Sequence, residues 1–236
     1  MFGYYGSKTN IAKLYPPPKE NTIIEPFAGA AKYSLLHWQK EVILIDKYPV
    51  IIRIWKYLQS CSVKDIQGLP RSMKQGERLS DLNLSDEEKM FLGFMIGSGP
   101  ERPRDKAPER KTTQRPNHLN YGLSRVEKDL FKIKHWQIRE GSYTDAPNIK
   151  GTWFIDPPYQ FGGEVYPMSN KTINYADLAI WSKSREGQVI VCENSKADWM
   201  DFKPIIKQRG SVHTTTEMIF SNHPTNYDSV QQKLFT

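Results

Sequence analysis

The sequence predicts an α/β fold built on a mainly parallel β-sheet. A short segment at residues 22–25, which reads as a buried strand ending in Glu25, and a continuously apolar segment at residues 42–45 alternate with stretches of helical periodicity within the first 60 residues. Continuous rather than alternating hydrophobicity is typical of strands that are covered on both faces. A strand, helix, strand, helix succession of this length indicates a right-handed βαβ unit. Because the pattern resumes after residue 135, we expect one sheet domain that is interrupted by an insertion.

The N-terminal part of the predicted sheet contains two strands, each followed by a helix. Residues 22–25 follow the break at Pro16-Pro17-Pro18 and form the first strand, and residues 42–45 form the second. Helical character at 32–40 and 49–59 predicts the helices that cover them. Both strands end in a carboxylate, which places acidic groups at one edge of the sheet.

Residues 60–135 do not continue this pattern and are predicted to be an insertion. Helices are expected near 85–96, where Ser85 can cap an acidic first turn, and from 122 to about 133. Between them, residues 97–120 contain two glycines, four prolines and six lysines or arginines against three acids. This composition is typical of a mobile loop rather than of a core segment.

After the insertion the predicted strands return. They are expected at 136–139, 152–155 and 189–192, with a late pair near 212–220 and 229–235. A helix that contains Tyr175, Leu178, Ile180 and Trp181 lies between two of these strands. The predicted organisation is therefore a sheet domain of residues 1–59 and 136–236 and an inserted region of residues 60–135.

Composition and cysteine content exclude several classes of protein. No apolar stretch approaches the roughly 20 residues of a membrane-spanning helix, and the N-terminus has no apolar signal segment. Cys61 and Cys192 are far apart and the five histidines have no ligand spacing, so we expect no disulfide and no metal site. These features predict a cytoplasmic protein without a membrane partner. The net charge of +7 is a modest indication of a polyanionic partner.

The segment Glu25-Pro26-Phe27-Ala28-Gly29 is the first candidate site. A carboxylate at the end of a strand, a tight turn and a helix form the geometry of nucleotide-like cofactor sites. Asp46 follows the second strand, at a separation at which an acidic residue accepts hydrogen bonds from both ribose hydroxyls. Because the GxGxxG pyrophosphate fingerprint is absent, a ribose-reading site favours S-adenosylmethionine over NAD. An ordinary turn followed by a surface carboxylate would give the same pattern, so this segment alone leaves both readings open.

The segment Asp156-Pro157-Pro158-Tyr159 is the second candidate site, at the end of a predicted strand. Two consecutive prolines fix φ and remove two backbone donors, which gives a rigid extended turn. Ligands bind at this end of the strands in an open α/β sheet. An acidic acceptor, a free carbonyl and an aromatic ring match the edge and face of a planar base with an amino group. A purely structural turn would leave the flanking Asp156 and Tyr159 unexplained.

These motifs resemble those of the Dam-type DNA adenine-N6 methyltransferases of the alpha group. Asp156-Pro157-Pro158-Tyr159 is a full match to their catalytic motif, and Glu25-Pro26-Phe27-Ala28-Gly29 is similar to their (D/E)PFxG cofactor motif. Asp46 stands at the position of their ribose-binding acidic residue. Tyr4-Tyr5-Gly6-Ser7-Lys8 resembles their N-terminal WxGxK segment, with Tyr4 in place of tryptophan. The four motifs occur in the family's order and span residues 4–159.

The resemblance implies a Rossmann-like, S-adenosylmethionine-dependent methyltransferase sheet with a mostly helical or loop target-recognition insertion. It implies S-adenosylmethionine as cofactor and double-stranded DNA as partner. The implied catalytic residues are Asp156, Pro157 and Tyr159. The implied cofactor-binding residues are Tyr4, Lys8, Glu25, Phe27, Gly29, Asp46, Ser142 and Asp156. The implied DNA-binding residues are Arg102, Arg104, Arg110, Lys111 and Arg115. We expect a monomeric, stand-alone enzyme of a bacterium or of a phage.

Two positions depart from the family pattern, and both bear on cofactor affinity. Ala31 stands where a second glycine is usual, and Gly141-Ser142-Tyr143 stands where Gly-Asp-Phe is common. Ser142 is a shorter acceptor than aspartate. Asp145 is a candidate substitute, although its spacing differs.

The residues predict direct methyl transfer without a covalent enzyme intermediate. The Asp156 carboxylate and the Pro157 carbonyl accept N6–H hydrogen bonds, which frees the nitrogen lone pair to attack the sulfonium methyl in line. The adenine must leave the duplex to reach such a pocket, and Tyr159 can stack on the flipped ring.

Four other activities were weighed against this one. Cytosine-C5 methylation needs a nucleophilic cysteine, usually in a Pro-Cys pair, and neither Cys61 nor Cys192 follows a proline. Cytosine-N4 methylation stays a minor possibility, because those enzymes more often carry serine at position 156. A catalytically weak homologue that binds DNA as a decoy or blocking protein is a second reading, and an RNA adenine methyltransferase is a third.

Overall fold

Alternate residues of the central strands pack into two separate hydrophobic cores, one on each face of a seven-stranded sheet. The structure, a computed structural model, describes residues 1–97, 99–109, 114–209 and 214–224. The strands are β1 (Thr22–Glu25), β2 (Glu41–Asp46), β3 (Gln137–Glu140), β4 (Gly151–Ile155), β5 (Gly187–Asn194), β6 (Lys203–Arg209) and β7 (Thr214–Ser221). Ile23 packs into one core while Ile24 packs into the other. This two-sided burial is why the central strands are continuously apolar.

The strand order is β3-β2-β1-β4-β5-β7-β6. Strands β1 to β5 are parallel, whereas β7 is antiparallel to both β5 and β6. The chain leaves β1 toward β2 on one side and returns to β4 on the other. The loops after β1 and β4 therefore diverge, which opens a crevice at the carboxyl ends of the strands. The fold is α/β with a mixed sheet, and it is compatible with a Rossmann-like architecture.

Six α-helices connect these strands in the described residues. They are α1 (Lys32–Leu36), α2 (Pro49–Ser60), α3 (Val63–Gln67), α4 (Asp86–Met95), α5 (His118–Asp129) and α6 (Tyr175–Lys183). The predicted cap of α4 is confirmed, because the Ser85 hydroxyl accepts from the N–H of Glu88 and the Glu88 carboxylate accepts from the N–H of Ser85. Helix α1 ends earlier than the predicted 40, and α5 begins at His118 rather than at 122. No helix in the described part of the chain is long and apolar enough to cross a membrane.

The late strand pair differs from the prediction. The expected strand at 212–220 corresponds to β7, but its outer partner is β6, which precedes it in the chain, and residues 229–235 lie outside the described part. Strand β6 was missed because its sequence, Lys-Pro-Ile-Ile-Lys-Gln-Arg, is polar and contains Pro204. A proline is tolerated there because β6 lies at the edge of the sheet, and the pairing with β7 is irregular at that point.

The inserted region shares its core with the sheet domain. Phe91 of α4 and Leu123 of α5 are fully buried in the same cluster as Trp55 of α2 and Ile23 of β1. Parts of the predicted loop at 97–120 are also anchored: Ala107 is buried and exchanges backbone hydrogen bonds with Gly76 and Glu77. The insertion therefore packs directly on the domain that carries the candidate site.

Candidate functional site

A cleft of about 930 Å³ opens where the carboxyl ends of β1 to β4 meet. Its walls are the segments that follow these four strands, the N-terminal segment and the loop after residue 165. All eight cofactor-binding residues predicted from the sequence line it: Tyr4, Lys8, Glu25, Phe27, Gly29, Asp46, Ser142 and Asp156.

The turn after β1 is held from both sides. The Asp46 carboxylate accepts the N–H of Gly29 at 2.9 Å and the N–H of Tyr48 at 2.8 Å, one on each oxygen. On the other side, the Trp55 indole donates to the Gly29 carbonyl at 2.9 Å. A Cβ added at Gly29 would lie 3.1 Å from the Tyr4 ring, so the backbone approaches that aromatic closely. Each oxygen of Asp46 keeps a further lone pair with which it can accept from a ligand.

Ala31 carries the strain of this turn. It has φ +44°, the only positive φ of a residue other than glycine among the described residues. The left-handed conformation costs an L-residue about 1–2 kcal/mol. The departure from the family's second glycine is therefore accommodated by strain, and the Ala31 N–H is fixed on the Ala28 carbonyl at 2.7 Å.

Glu25 is a buried carboxyl at the end of β1. It is 2% exposed and accepts the N–H of Ser34 in α1 at 2.8 Å. Burial raises the pKa of Glu25 to about 8, although the hydrogen bond from Ser34 lowers it. At neutral pH the protonated form therefore dominates unless a cationic group of a ligand binds beside it.

The substitution Glu25→Gln is expected to flatten the dependence of stability on pH. Between about pH 4.5 and pH 8 the folded state holds a proton on Glu25 that the unfolded state has lost, so raising the pH favours unfolding. Glutamine keeps an acceptor for Ser34 but has no charge. We expect Glu25→Gln to raise the free energy of unfolding at pH 8 by roughly 3 kcal/mol and to change little near pH 5.

Thermal unfolding at pH 5 and pH 8 measures this effect. Glu41→Gln, which changes an exposed glutamate at the start of β2, is the matched control and should leave the melting temperature nearly unchanged at both values. An equal melting temperature of wild type and Glu25→Gln at pH 8 would contradict the inference that ionisation of the buried Glu25 carboxyl destabilises the folded state.

Asp156 forms a salt bridge with a lysine of the N-terminal segment. The Lys8 ammonium lies 2.9 Å from Asp156 Oδ1, and the Lys8 side chain is 8% exposed. Burial alone would lower the pKa of Lys8, but the carboxylates of Asp156 and Glu217 raise it above its ordinary value. Burial raises the pKa of Asp156 to about 6, against the opposing effect of Lys8. Above neutral pH the site thus holds an ionised carboxylate with a fixed cation on one oxygen.

Tyr159 faces a buried polar cluster. Its hydroxyl accepts from Lys8 at 2.7 Å and donates to Glu217 at 2.6 Å, and the Lys8 ammonium lies 4.6 Å from the centroid of its ring. Neither Tyr159 nor Pro157 is among the residues that line the cleft. Of the three predicted catalytic residues, Asp156 alone lines the cleft. Tyr159 instead contacts Lys8, which is the salt-bridge partner of Asp156.

Three of the tyrosines that line the cleft have neighbouring rings. The ring of Tyr166 lies 5.7 Å from that of Tyr4 and 5.5 Å from that of Tyr5, and its hydroxyl donates to the Tyr5 carbonyl at 3.2 Å. Tyr4 and Tyr5 belong to the N-terminal motif, whereas Tyr166 was missed by the sequence reasoning. Its only sequence signal was its position shortly after Asp156-Pro157-Pro158-Tyr159.

The segment after β3 contributes an aromatic wall. Ser142 and Tyr143 line the cleft, and the Tyr143 ring is stacked with Phe27 at 5.5 Å between centroids and 25° between planes. Asp145 is not among the lining residues, because its carboxylate accepts the N–H of Ser142 at 2.7 Å and caps the turn. Asp145 does not take the place of the family's aspartate.

The structure describes three of the five predicted DNA-binding side chains. Arg102, Arg104 and Arg115 are exposed, whereas Arg110 and Lys111 lie outside the described residues. The segment that carries Arg102 begins beside the cleft, where the Pro100 carbonyl accepts the N–H of Tyr5 at 3.3 Å.

In the described ranges, no group of histidine, cysteine, aspartate and glutamate side chains is placed to hold a metal ion. No family model and no curated protein matches the sequence.

Proposed function

We propose that this chain is an S-adenosylmethionine-dependent methyltransferase that modifies the N6 amine of a flipped-out adenine in DNA. One observation supports this most strongly: the Asp46–Gly29 turn and Asp156 lie in one cleft at the switch point of the sheet. The first is suited to a ribose and the second to an exocyclic amine. The resemblance of these segments to methyltransferase motifs is what suggests a cofactor ribose for the turn and a substrate amine for Asp156.

The donor set of the cleft fits S-adenosylmethionine. Asp46 retains acceptor capacity for the ribose hydroxyls, and the stacked rings of Phe27 and Tyr143 offer an aromatic surface for the adenine of the cofactor. Glu25, whose pKa burial raises to about 8, would gain a partner in the ammonium of the methionine moiety. Bound at these residues, the cofactor would supply an electrophilic sulfonium methyl group.

The role of Asp156 follows from its two oxygens. Lys8 holds Oδ1 at 2.9 Å, so the carboxylate is fixed in orientation before a substrate enters. The other oxygen can accept an N6–H hydrogen bond from the substrate amine. Burial raises the pKa of Asp156 to about 6, so the carboxylate is ionised above neutral pH.

Three of the tyrosines that line the cleft offer a place for the base. Tyr4, Tyr5 and Tyr166 lie in the same cleft as Asp156, and stacking on an aromatic ring is worth about 1–3 kcal/mol per base. That energy offsets part of the cost of unstacking the adenine from the duplex. Arg102 is exposed and follows Pro100, whose carbonyl is bonded to Tyr5 of the cleft, so its guanidinium is available to a phosphate of the flanking strand.

The test is a transfer assay with wild-type protein and labelled S-adenosylmethionine. Three substrates are compared: duplex DNA without adenine methylation, the same sequence as RNA, and duplex DNA in which every adenine is N6-methylated beforehand. We expect label in N6-methyladenine of the first substrate and none in the third. Label in N4-methylcytosine, preference for RNA, or binding of DNA without transfer would each replace this function by one of the alternatives.

The substitution Asp46→Asn is expected to weaken cofactor binding by about 10- to 100-fold, because it removes charge-assisted hydrogen bonds to the ribose. Asp46 also holds the backbone of Gly29 and Tyr48, so a loss of affinity alone would not identify the ribose role. Calorimetry should therefore include an analogue of methylthioadenosine that lacks both ribose hydroxyls. We expect Asp46→Asn to change the affinity for this analogue much less than that for methylthioadenosine itself. Equal losses for both ligands would mean that Asp46 acts only on the turn.

A further inference from the structure

Glu217 is a buried carboxylate that no sequence motif marks. It lies in the antiparallel strand β7, opposite Asn194 of β5 and Ile206 of β6, and is 8% exposed. Its Oε1 accepts the hydroxyl of Tyr159 at 2.6 Å and that of Tyr15 at 2.7 Å. The same oxygen lies 3.7 Å from the Lys8 ammonium.

Lys8 is consequently shared by two carboxylates. Its ammonium contacts Asp156 at 2.9 Å and Glu217 at 3.7 Å, and it donates to the Tyr159 hydroxyl at 2.7 Å. A carboxylate buried beside another costs desolvation and mutual repulsion, which a single lysine compensates only in part. Two tyrosine hydroxyls could be satisfied by a neutral acceptor at lower cost. Hydrogen bonding to the two tyrosines therefore does not explain why a charged residue occupies position 217.

We propose that Glu217 is a positioning residue that holds Lys8 and Tyr159 so that Lys8 covers only one oxygen of Asp156 and leaves the other for the substrate amine. This inference rests on the proposed function, since it assigns the Asp156 carboxylate to that amine. In the described residues, Asp156 Oδ1 is bound by Lys8 and no protein donor is bonded to Oδ2. Glu217 draws the ammonium toward β7, and the Tyr159 hydroxyl, fixed between Glu217 and Lys8, keeps it in place.

Glu217 should also tune the acidity of Asp156. The titratable groups that interact with Asp156 come from five places: Lys8 and Tyr15 from the N-terminal segment, Glu25 from β1, Cys192 and Glu193 from β5, Glu217 from β7, and Tyr166 from the loop after β4, with Tyr159 on its own turn. Burial contributes most to the raised pKa of Asp156, Lys8 lowers it, and Glu217 raises it. When the charge at position 217 is removed, Asp156 remains the one carboxylate that contacts the Lys8 ammonium.

The experiment compares Glu217→Gln with wild type by carboxyl carbon NMR titration, with the Asp156 signal assigned from Asp156→Asn. Glutamine keeps an oxygen that accepts both tyrosine hydroxyls but carries no charge. We expect the pKa of Asp156 to fall by about half a unit to one unit. Glu217→Met gives a second neutral variant of similar length in case the first does not fold. Tyr15→Phe is the control, since it removes one hydrogen bond to Glu217 and keeps its charge, and it should leave the titration of Asp156 nearly unchanged.

The pH profile of turnover provides an independent readout. The acid limb of kcat should move to lower pH in Glu217→Gln, so that the ratio of kcat at pH 5.5 to kcat at pH 8 increases about two- to threefold. A purely structural role would lower kcat equally at both values. An unchanged pKa of Asp156 in a folded neutral variant would overturn the inference. If the wild type transfers no methyl group, the NMR titration still decides whether Glu217 acts on Asp156, so failure of the function and failure of this inference are separate results.

Discussion

Asp156→Ala is expected to lower kcat for methyl transfer to adenine by about 10³-fold, because it removes the fixed acceptor for the substrate amine. The loss should appear mainly in kcat, since the stacking tyrosines and the Asp46 turn that would bind base and cofactor stay in place. Steady-state kinetics with duplex DNA, together with calorimetry for S-adenosylmethionine, separate the two contributions. Cofactor affinity should change by less than about tenfold.

Asp156→Asn is the matched variant, because the amide keeps one oxygen acceptor and loses the charge. We expect its activity to fall between those of wild type and Asp156→Ala. The fold should survive in both, since Lys8 retains Tyr159 and Glu217 as partners. Transfer by Asp156→Ala at the wild-type rate would remove Asp156 from the reaction.

Lys8→Met is expected to destabilise the fold by about 3–5 kcal/mol at pH 8, because it leaves Asp156 and Glu217 buried without a cation. Without Lys8 the pKa of Asp156 should rise further above 6, so that lowering the pH neutralises this carboxyl and recovers part of the lost stability. Urea unfolding at pH 5.5 and pH 8 measures both effects.

Lys13→Met is the control for this prediction, because Lys13 belongs to the same N-terminal segment but is exposed. It should change the free energy of unfolding by less than about 0.5 kcal/mol. The double variant Lys8→Met/Glu217→Gln should be more stable than Lys8→Met alone, since only one buried carboxylate then lacks its partner. A loss below about 1 kcal/mol for Lys8→Met would mean that the cluster does not depend on the cation.

The polar cluster also connects the two ends of the described chain to the candidate site. Tyr15 and Glu217 are 202 positions apart, and Lys8 and Tyr159 are 151 positions apart. Changes in the N-terminal segment or in β7 should therefore alter the geometry at Asp156 without touching the motif itself.

The prediction of the sheet from the sequence depended on burial on both faces. Strands β1, β2, β4 and β5 were each expected within two residues of their observed bounds, because most of their inner positions are apolar and buried. Strand β6 was missed, because an edge strand needs no such burial and can carry Pro204. The carboxylates at the ends of β1, β2 and β4 were also located correctly, since parallel strands bring their carboxyl ends to one edge of the sheet.

The sequence by itself determined the α/β class, the order of the motifs and eight of the residues that line the cleft. It did so because apolar periodicity and turn chemistry are local properties. Only the tertiary structure decided that Tyr159 turns toward Glu217, that Asp145 caps the turn of Ser142 instead of lining the cleft, and that Tyr166 lies inside the cleft. Those outcomes depend on which distant polar groups are buried together. A carboxylate on β7 and a lysine near the N-terminus acquire their roles only when folding removes both from water and leaves them each other as partners.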